Sequence, residues 1–179
     1  RKYLSYFPLN AWSQPPTKKD MDIGERSLDQ ILDIIPPDPR FPYSMHKVLD
    51  MFADSDTLFE VQPHYGKSMI TALDFLGGRS VAIVANNPAI NSGTIDSAAA
   101  EKTANFIEVA GAFHLPVIFL ADNPGVMAGA QAEKDGILRA AARMFAAQHR
   151  LRGPKVSVTM RKAFGFGSSV MAMNPFDSQ

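Results

Sequence analysis

Three short apolar segments, with helical patterns between them, constrain the fold more than any other feature of this chain. They are Val81–Ala85, Val117–Ala121 and Val156–Met160, and each is typical of a buried strand. The apolar residues at 97–113 and 131–149 recur with a helical period. Helical crossovers between strands make the strands parallel and bury both of their faces, so the sequence predicts an α/β fold.

Apolar residues define the face that each predicted helix buries. In the first helix the inward residues are predicted to be Ala99, Phe106, Ile107, Ala110 and Phe113. In the second helix they are predicted to be Leu138, Ala141, Ala142 and Phe145.

Upstream of these units the pattern predicts an antiparallel meander. Strands at Leu58–Gln62 and Ser68–Leu76 precede the Gly77-Gly78 turn that leads into the first buried strand. Ser44 is placed to cap a short helix that ends near Ala53. The four prolines of residues 31–43 predict extended or turn structure there.

Composition narrows the partners and the compartment that we expect. The formal net charge is zero, so nothing global indicates nucleic acid or an anionic membrane as a partner. The N-terminal residues lack the pattern of a signal peptide, and no apolar run reaches the roughly 20 residues of a spanning helix. The chain has no Cys, which excludes disulfides, thiolate metal sites and a Cys nucleophile; this fits a reducing compartment and is also compatible with other compartments. We therefore expect a cytoplasmic protein.

A glycine-containing loop follows each of the three predicted parallel strands. These loops contain Asn91-Ser92-Gly93, Pro124-Gly125 through Gly129, and Gly165-Phe166-Gly167. The carboxyl ends of parallel strands face the ligand crevice of such a sheet, so we expect the loops to converge. Each loop is also compatible with an ordinary turn into a helix. The third is the most specific, because small residues leave the backbone N–H groups of Phe166 and Gly167 open to an anion.

Side chains with familiar catalytic patterns are scarce. Gly66-Lys67-Ser68 resembles the end of a phosphate-binding loop, but Val61 stands where a glycine is required. The four histidines, His46, His64, His114 and His149, have no metal-ligand spacing, and we expect no metal site. Two alternatives stay open at the strand ends. Asp122 is suited to a general base or to capping its own turn, and Arg161 and Lys162 to binding an anion or to a solvated strand end.

Ordered motifs along nearly the whole chain resemble a known family, the biotin-dependent acyl-CoA carboxyltransferases. The matching stretches are FEVQPHYGKS at 59–68, LGGRSVAIVANNP at 76–88, SGTIDS at 92–97, the segment 110–129 ending in ADNPGVMAG, AEKDGILRAAARM at 132–144 and RKAFGFGSSVM at 161–171. The resemblance is to the C-terminal domain of the β-subunits of acetyl-CoA and propionyl-CoA carboxylases. It implies a ClpP/crotonase-like fold of repeated ββα units. Residues 1–28 are similar to the linker or tail of the preceding N-terminal carboxyltransferase domain, and residues 29–179 are then the C-terminal domain, ending before that domain is complete.

The resemblance implies an enzyme that moves carboxylate from carboxybiotin to the α-carbon of an acyl-CoA. In the family, biotin is attached to a separate carrier domain, and biotin itself removes the α-proton. Backbone oxyanion holes stabilise the negative charge that develops. The implied partners are the N-terminal domain of another subunit, a biotin carboxylase or biotin carrier subunit, and further copies of the chain. We expect residues 1–179 alone to be inactive, because the family's N-terminal domain holds the CoA.

By position, the family's C-domain oxyanion hole corresponds to the amides of Phe166 and Gly167. The resemblance implies a biotin and acyl pocket lined by Gly93, Pro124, Gly125, Val126, Gly129, Ala163, Phe164, Gly165 and Ser169. The chain departs from the family pattern at three positions, with Phe166 for a glycine, Ser169 for an aspartate and Val126 for a phenylalanine. The backbone donor survives the first change. The second lies in the family's acyl pocket and prevents the acyl preference from being carried over, and the third loosens one wall of the pocket. Two further hypotheses remain, a decarboxylase subunit that runs the reaction in reverse and a non-catalytic assembly domain.

Overall fold

The computed structural model describes residues 1–18 and 27–173, and in these residues one mixed sheet organises the chain. Its five strands stand in sequence order, β1 (Phe59–Glu60), β2 (Met69–Leu76), β3 (Arg79–Asn86), β4 (Val117–Asn123) and β5 (Lys155–Ala163). The first three strands pair antiparallel, and β3, β4 and β5 pair parallel. The predicted meander and the parallel strands are therefore confirmed.

Six α-helices accompany the sheet in the described residues. They are α1 (Ile31–Ile34), α2 (Met45–Phe52), α3 (Ser97–Ala112), α4 (Ala130–Lys134), α5 (Ile137–His149) and α6 (Phe166–Val170). The order β2-β3-α3 makes one complete ββα unit, after which β4 and β5 are each followed by helices. Asp96 begins α3 with a side-chain cap to the backbone N–H of Ala99. Ser44 precedes α2 as expected but makes no side-chain cap bond.

Two apolar layers pack against the two faces of the sheet. On one face, α3 and α5 cover alternate strand residues such as Val84, Phe119 and Ala121. On the other face, α2 covers the intervening residues, including Ile83 and Leu120. This alternation follows from the two-residue period of a strand, and it gives β3 and β4 the double burial that their sequences predict.

Three expectations about the elements are wrong. The helix predicted over 131–149 is two helices, because Gly136 takes a left-handed conformation with φ of 77° between α4 and α5. The second helix therefore restarts at Ile137 with a different phase: Leu138 is 72% exposed and Ala142 is exposed, whereas Ala140 and Met144 join the core. The proline-rich stretch contains one helical turn, α1, which ends before Pro36.

The third wrong expectation concerns the last strand. β5 is the edge strand of the described sheet, and Val156 and Val158 are 56% and 42% exposed instead of buried on both faces. Strand β5 also continues beyond the predicted end at Met160 to Ala163, so it includes Arg161 and Lys162.

The N-terminal residues pack on the hairpin of β2 and β3. Tyr6 is 1% exposed and contacts the core, and Ser80 Oγ donates to its carbonyl at 2.7 Å. Lys18 N–H donates to the Gly78 carbonyl at 2.7 Å. Residues 19–26 of the predicted tail and residues 174–179 of the predicted C-terminal domain lie outside the described residues. The division into two domains stays a prediction.

Asp74 is a buried carboxyl on β2 beneath this packed segment. It is fully buried; Thr57 Oγ1 donates to its Oδ1, and its Oδ2 has no partner among the described residues. Burial raises the pKa of Asp74 to about 6 from 3.8. Folding therefore favours the protonated carboxyl, so its stabilising contribution is complete below pH 3.8 and is lost as the pH rises through about 6.

We predict that Asp74→Asn, which resembles the protonated form, raises the Tm at about pH 7.5 relative to the parent protein. The difference should shrink as the pH falls from about 7 toward about 4, as measured by thermal unfolding across that range. Asp33→Asn, at an exposed position of α1, is the control and should change the Tm little at any pH. A Tm difference for Asp74→Asn that does not vary with pH would contradict the prediction.

Candidate functional site at the carboxyl edge of the parallel strands

The three glycine-containing loops meet at the carboxyl edge of β3, β4 and β5, as the sequence predicts. Ile95 N–H donates to the Gly125 carbonyl at 3.2 Å, and Met127 N–H donates to the Ile95 carbonyl at 2.9 Å. These bonds make a short parallel bridge between the loop after β3 and the loop after β4. The third loop, after β5, packs directly on the second through Gly167 and Gly125.

Gly93 allows the first loop to touch the end of β4. It is buried, its φ is 78°, and a Cβ at this position would lie 2.3 Å from the backbone oxygen of Asp122. Real Cβ atoms do not approach backbone this closely, and the left-handed conformation also disfavours a side chain. A glycine is therefore required for the loop and the strand to meet.

Gly167 plays the same part between the second and third loops. A Cβ there would lie 2.1 Å from Asn123 Oδ1 and 2.7 Å from Gly125 Cα. Gly125 has φ of 125°, and a Cβ on it would lie 3.5 Å from the Phe164 carbonyl oxygen. The turn from β5 into α6 thus rests on the Gly125 backbone and the Asn123 side chain at the end of β4.

The backbone N–H groups of Phe166 and Gly167 have no hydrogen-bond acceptor among the described residues. They belong to the first turn of α6, where no preceding helical carbonyl is available to them. Gly165 precedes them with φ of 54° and ψ of −140°, and Ser168 N–H donates to its carbonyl at 3.1 Å. Two adjacent donors in a turn of small residues can hold a negatively charged oxygen.

The other predicted pocket residues lie on these loops or on the adjoining end of β5 and helix α6, and they differ in exposure. Gly125, Val126, Ala163 and Ser169 are half-buried, whereas Pro124, Gly129, Phe164, Gly165 and Phe166 are exposed. Gln148 Nε2 donates to the Ser169 carbonyl at 3.2 Å, which ties α6 to α5. Phe166 packs on Phe145 with 5.7 Å between the ring centroids. Gly129 lies just before α4, and a Cβ added to it would have no atom within 4 Å, so it does not join the close-packed group.

The structure shows Asp122 in neither of the two roles considered for it, a general base or a cap on its own turn. Its Oδ2 accepts hydrogen bonds from the Tyr43 hydroxyl at 2.8 Å and from Arg161 Nε at 2.9 Å, and it is fully buried. The turn-capping bond is made instead by Asn123, whose Oδ1 accepts from Gly125 N–H at 3.0 Å. Asp122 is therefore held in a buried ion pair on the face of the sheet that α2 covers.

Arg161 is likewise neither an open anion site nor a solvated strand end. Its side chain is 9% exposed, and its Nη1 donates to the carbonyl oxygens of Pro36, Asp38 and Phe41 at 3.0 to 3.3 Å. The guanidinium also lies 4.7 Å from the centre of the Tyr43 ring. Burial beside the Asp122 carboxylate raises the pKa of Tyr43 well above its usual range. Lys162 is half-buried, and both interpretations of it stay open.

The histidines contribute no shared site. His46 Nε2 lies 2.8 Å from Glu60 Oε2, and this contact raises the pKa of His46. In residues 1–18 and 27–173, no group of three or more His, Asp or Glu side chains is arranged to hold a metal ion. Within the same residues, no helix is both long and apolar enough to cross a membrane.

Comparison with known proteins places this chain in a family. The sequence profile described as "Carboxyl transferase domain" matches residues 1–178. The chain belongs to the carboxyl transferase domain family. The propionyl-CoA carboxylase carboxyltransferase subunit of Haloferax mediterranei is 38% identical over 172 residues, covering 96% of this chain and 33% of that protein. The biotin-dependent long chain acyl-coenzyme A carboxylase beta4 subunit of Mycobacterium tuberculosis is 34% identical, covering 96% of this chain and 33% of that protein.

A solved carboxyltransferase has the same fold. The structure of transcarboxylase 12S with hydrolyzed methylmalonyl-coenzyme A superposes with a TM-score of 0.92 at 33% identity, covering 96% of this chain and 34% of that one. The predicted crotonase-like fold is thereby confirmed. The chain spans about a third of the length of the carboxyl transferase relatives that it matches.

Sequence reasoning missed the buried polar side chains at this edge of the sheet. Asn86, Asn123 and Tyr43 are buried at this edge, and each makes at least one hydrogen bond to another strand or loop. One signal was present in the sequence: two buried strands end in asparagine, and buried amides must find partners. The partners themselves are contributed by distant parts of the chain.

We predict that Arg161→Met destabilises the protein by about 3–5 kcal/mol, because it leaves the Asp122 carboxylate buried without its counter-charge. Adding Asp122→Asn should recover most of the loss, since the amide has no charge to compensate. Thermal unfolding of the single and double variants measures this difference.

Arg40→Met is the matched control, because Arg40 makes an exposed ion pair with Asp38 at 2.7 Å. We expect it to leave the Tm nearly unchanged. A double variant as unstable as Arg161→Met alone would contradict the buried-pair interpretation.

Proposed function

We propose that the protein is the carboxyltransferase component of a biotin-dependent acyl-CoA carboxylase, transferring carboxylate from carboxybiotin to the α-carbon of an acyl-CoA. The observation that carries this proposal is the pair of N–H groups at Phe166 and Gly167, which have no hydrogen-bond acceptor in the part of the chain that the structure describes, in a chain that belongs to the carboxyl transferase domain family. Relatives that match 96% of the chain are subunits of propionyl-CoA and long-chain acyl-CoA carboxylases.

The two amides are suited to the biotin ureido oxygen, which would gain negative charge when the N–C bond of carboxybiotin breaks, leaving the electron pair on the ring as CO2 departs. Carboxybiotin would thus supply both the CO2 and, as the ureido anion, the base that takes the α-proton, and the resulting α-carbanion would form the new C–C bond to CO2. The residues of this chain would then have to orient the biotin ring and stabilise the negative charge on its ureido oxygen. Phe166 and Gly167 would do so with fixed backbone dipoles that need no rearrangement during the reaction.

The surrounding side chains agree with a reaction in which biotin supplies the base and this chain stabilises the charge. Asp122 is held by Arg161 and Tyr43 on the opposite face of the sheet and is not placed to act as a base. Around the two amides, Gly165, Ser168 and Ser169 are small, which leaves room for a flat ring system. We propose that Ser169 and Val126, both half-buried, help to set the size of acyl group that the pocket accepts.

A complete active site on this proposal needs partners. We propose that the N-terminal carboxyltransferase domain of another subunit supplies the acyl-CoA, and that a biotin carrier subunit delivers carboxybiotin. The transcarboxylase 12S structure is described as a hexamer assembly with substrate binding to a multienzyme core. We propose a homo-oligomer for this protein as well.

The structure indicates which residue to change in order to remove one donor cleanly. Gly167→Pro would eliminate an N–H but would also place a Cβ against Asn123 Oδ1 and Gly125 Cα. Phe166 is the first residue of α6, where proline is well tolerated, and the preceding Gly165 has no Cβ to clash with the proline ring.

We predict that Phe166→Pro in the full-length protein, assembled with its biotin carrier partner, lowers kcat for acyl-CoA carboxylation by roughly 10²–10³, the usual effect of removing one oxyanion donor. Acetyl-, propionyl- and longer acyl-CoAs would be assayed in parallel. Formation of the carboxylated acyl-CoA is the measurement.

Phe166→Ala is the matched control, since it removes the same ring from Phe145 and keeps the N–H group. ATP-dependent carboxylation of the carrier should be unaffected by both variants. Equal turnover by Phe166→Pro and Phe166→Ala, with intact assembly, would refute the role of this amide.

A further inference from the structure

We propose that a buried pair of asparagines, Asn86 and Asn123, positions the Phe166–Gly167 amide turn for catalysis. The pair contacts neither reacting group, so the two are positioning residues. This inference rests on the function proposed above and adds residues outside the loops that bind the substrates.

Asn86, at the end of β3, connects three parts of this edge of the sheet. Its Oδ1 accepts from the backbone N–H of Asp122 at 3.1 Å and from Asn123 Nδ2 at 3.0 Å. Its Nδ2 donates to the Gly93 carbonyl at 3.1 Å and lies 2.9 Å from Met69 Sδ. One fully buried amide thereby fixes the loop after β3 relative to the ends of β2 and β4.

Asn123 extends this connection to the amide turn. While its Nδ2 donates to Asn86, its Oδ1 accepts from Gly125 N–H at 3.0 Å. The same oxygen lies 2.1 Å from the position that a Cβ on Gly167 would occupy, so the turn rests directly on this side chain. A register irregularity between Ala121 and Asn123 in the pairing with β5 also occurs here, and such irregularities re-aim strand ends.

The chemistry of the pair favours a geometric role over simple packing. A buried amide costs free energy unless its donors and acceptors are satisfied, so apolar side chains would fill this space at lower cost. The two asparagines instead use oppositely directed donors and acceptors to fix one arrangement. Since misplacement of a reacting group by about 1 Å can cost about 10²-fold in rate, an anchor under Gly167 is expected to affect turnover.

The test is Asn123→Asp in the full-length protein with its biotin carrier partner. The new carboxylate keeps the shape and the acceptor for Gly125 N–H, but it places a second oxygen against Asn86 Oδ1. We expect kcat to fall roughly 10- to 100-fold while the KM for acyl-CoA stays within about twofold. Hydrogen exchange of the backbone amides of residues 164–171 should become faster, with residues 97–112 of α3 unchanged. Lowering the pH should partly restore kcat, because the substituted carboxyl, once protonated, can donate to Asn86 again.

Asn87→Asp is the matched control. Asn87 is the residue after Asn86, is 7% exposed and uses its Oδ1 only as an acceptor, from Ala89 N–H at 3.4 Å. It should leave both kcat and the exchange of residues 164–171 unchanged. If Asn123→Asp does not fold, Asn123→Ser removes the link to Asn86 without adding charge, and the same two measurements apply.

The outcomes separate this inference from the proposed function. Unchanged exchange at residues 164–171 would overturn the positioning role directly. Faster exchange with an unchanged kcat would mean that the turn had moved without affecting the reaction. That result would contradict both the positioning role of the asparagines and the proposed role of the Phe166 and Gly167 amides. In the Phe166→Pro background, Asn123→Asp should add little further loss of kcat if both act through the same amides, and full additivity would contradict the inference.

Discussion

The structure depends on the close approach of three backbones at one edge of the sheet. Gly93 meets the Asp122 carbonyl, and Gly167 meets Gly125 and Asn123, at separations that leave no room for a Cβ. These contacts convert three separate strand-to-helix turns into one packed unit. The amides of Phe166 and Gly167 have a defined direction because the backbone beneath them cannot shift without breaking these contacts.

Two polar networks hold that edge from opposite faces of the sheet. On the face covered by α3 and α5, the amides of Asn86 and Asn123 join the strand ends. On the other face, Asp122 and Arg161 form a buried ion pair that also holds the proline-rich segment before α2. Consecutive residues of β4 point to opposite faces, so Asp122 and Asn123 serve different networks from adjacent positions. The ends of the parallel strands are thus held by buried polar side chains on both faces of the sheet.

Some features were predictable because they follow from local pattern. The parallel strands β3, β4 and β5, the helix α3 and the placement of the glycine loops at one edge are consequences of apolar spacing and chain direction. The phase of α5 was not predictable in this way, because Gly136 in a left-handed conformation restarts the helix and moves Leu138 to solvent. The exposure of β5 was missed as well, because the position of a strand within a sheet depends on which other segments lie beside it.

The sequence by itself determined the fold class, the family and the position of the glycine loop that carries the Phe166 and Gly167 amides. Those properties reside in short-range patterns and in motifs that are read along the chain. Only the tertiary structure decided the partners of Asp122, Arg161, Asn86 and Asn123, since a hydrogen bond between residues 37 or 39 positions apart depends on strand register. It also decided that Gly167 is irreplaceable, because the atoms that would collide with a side chain there belong to the neighbouring strand end.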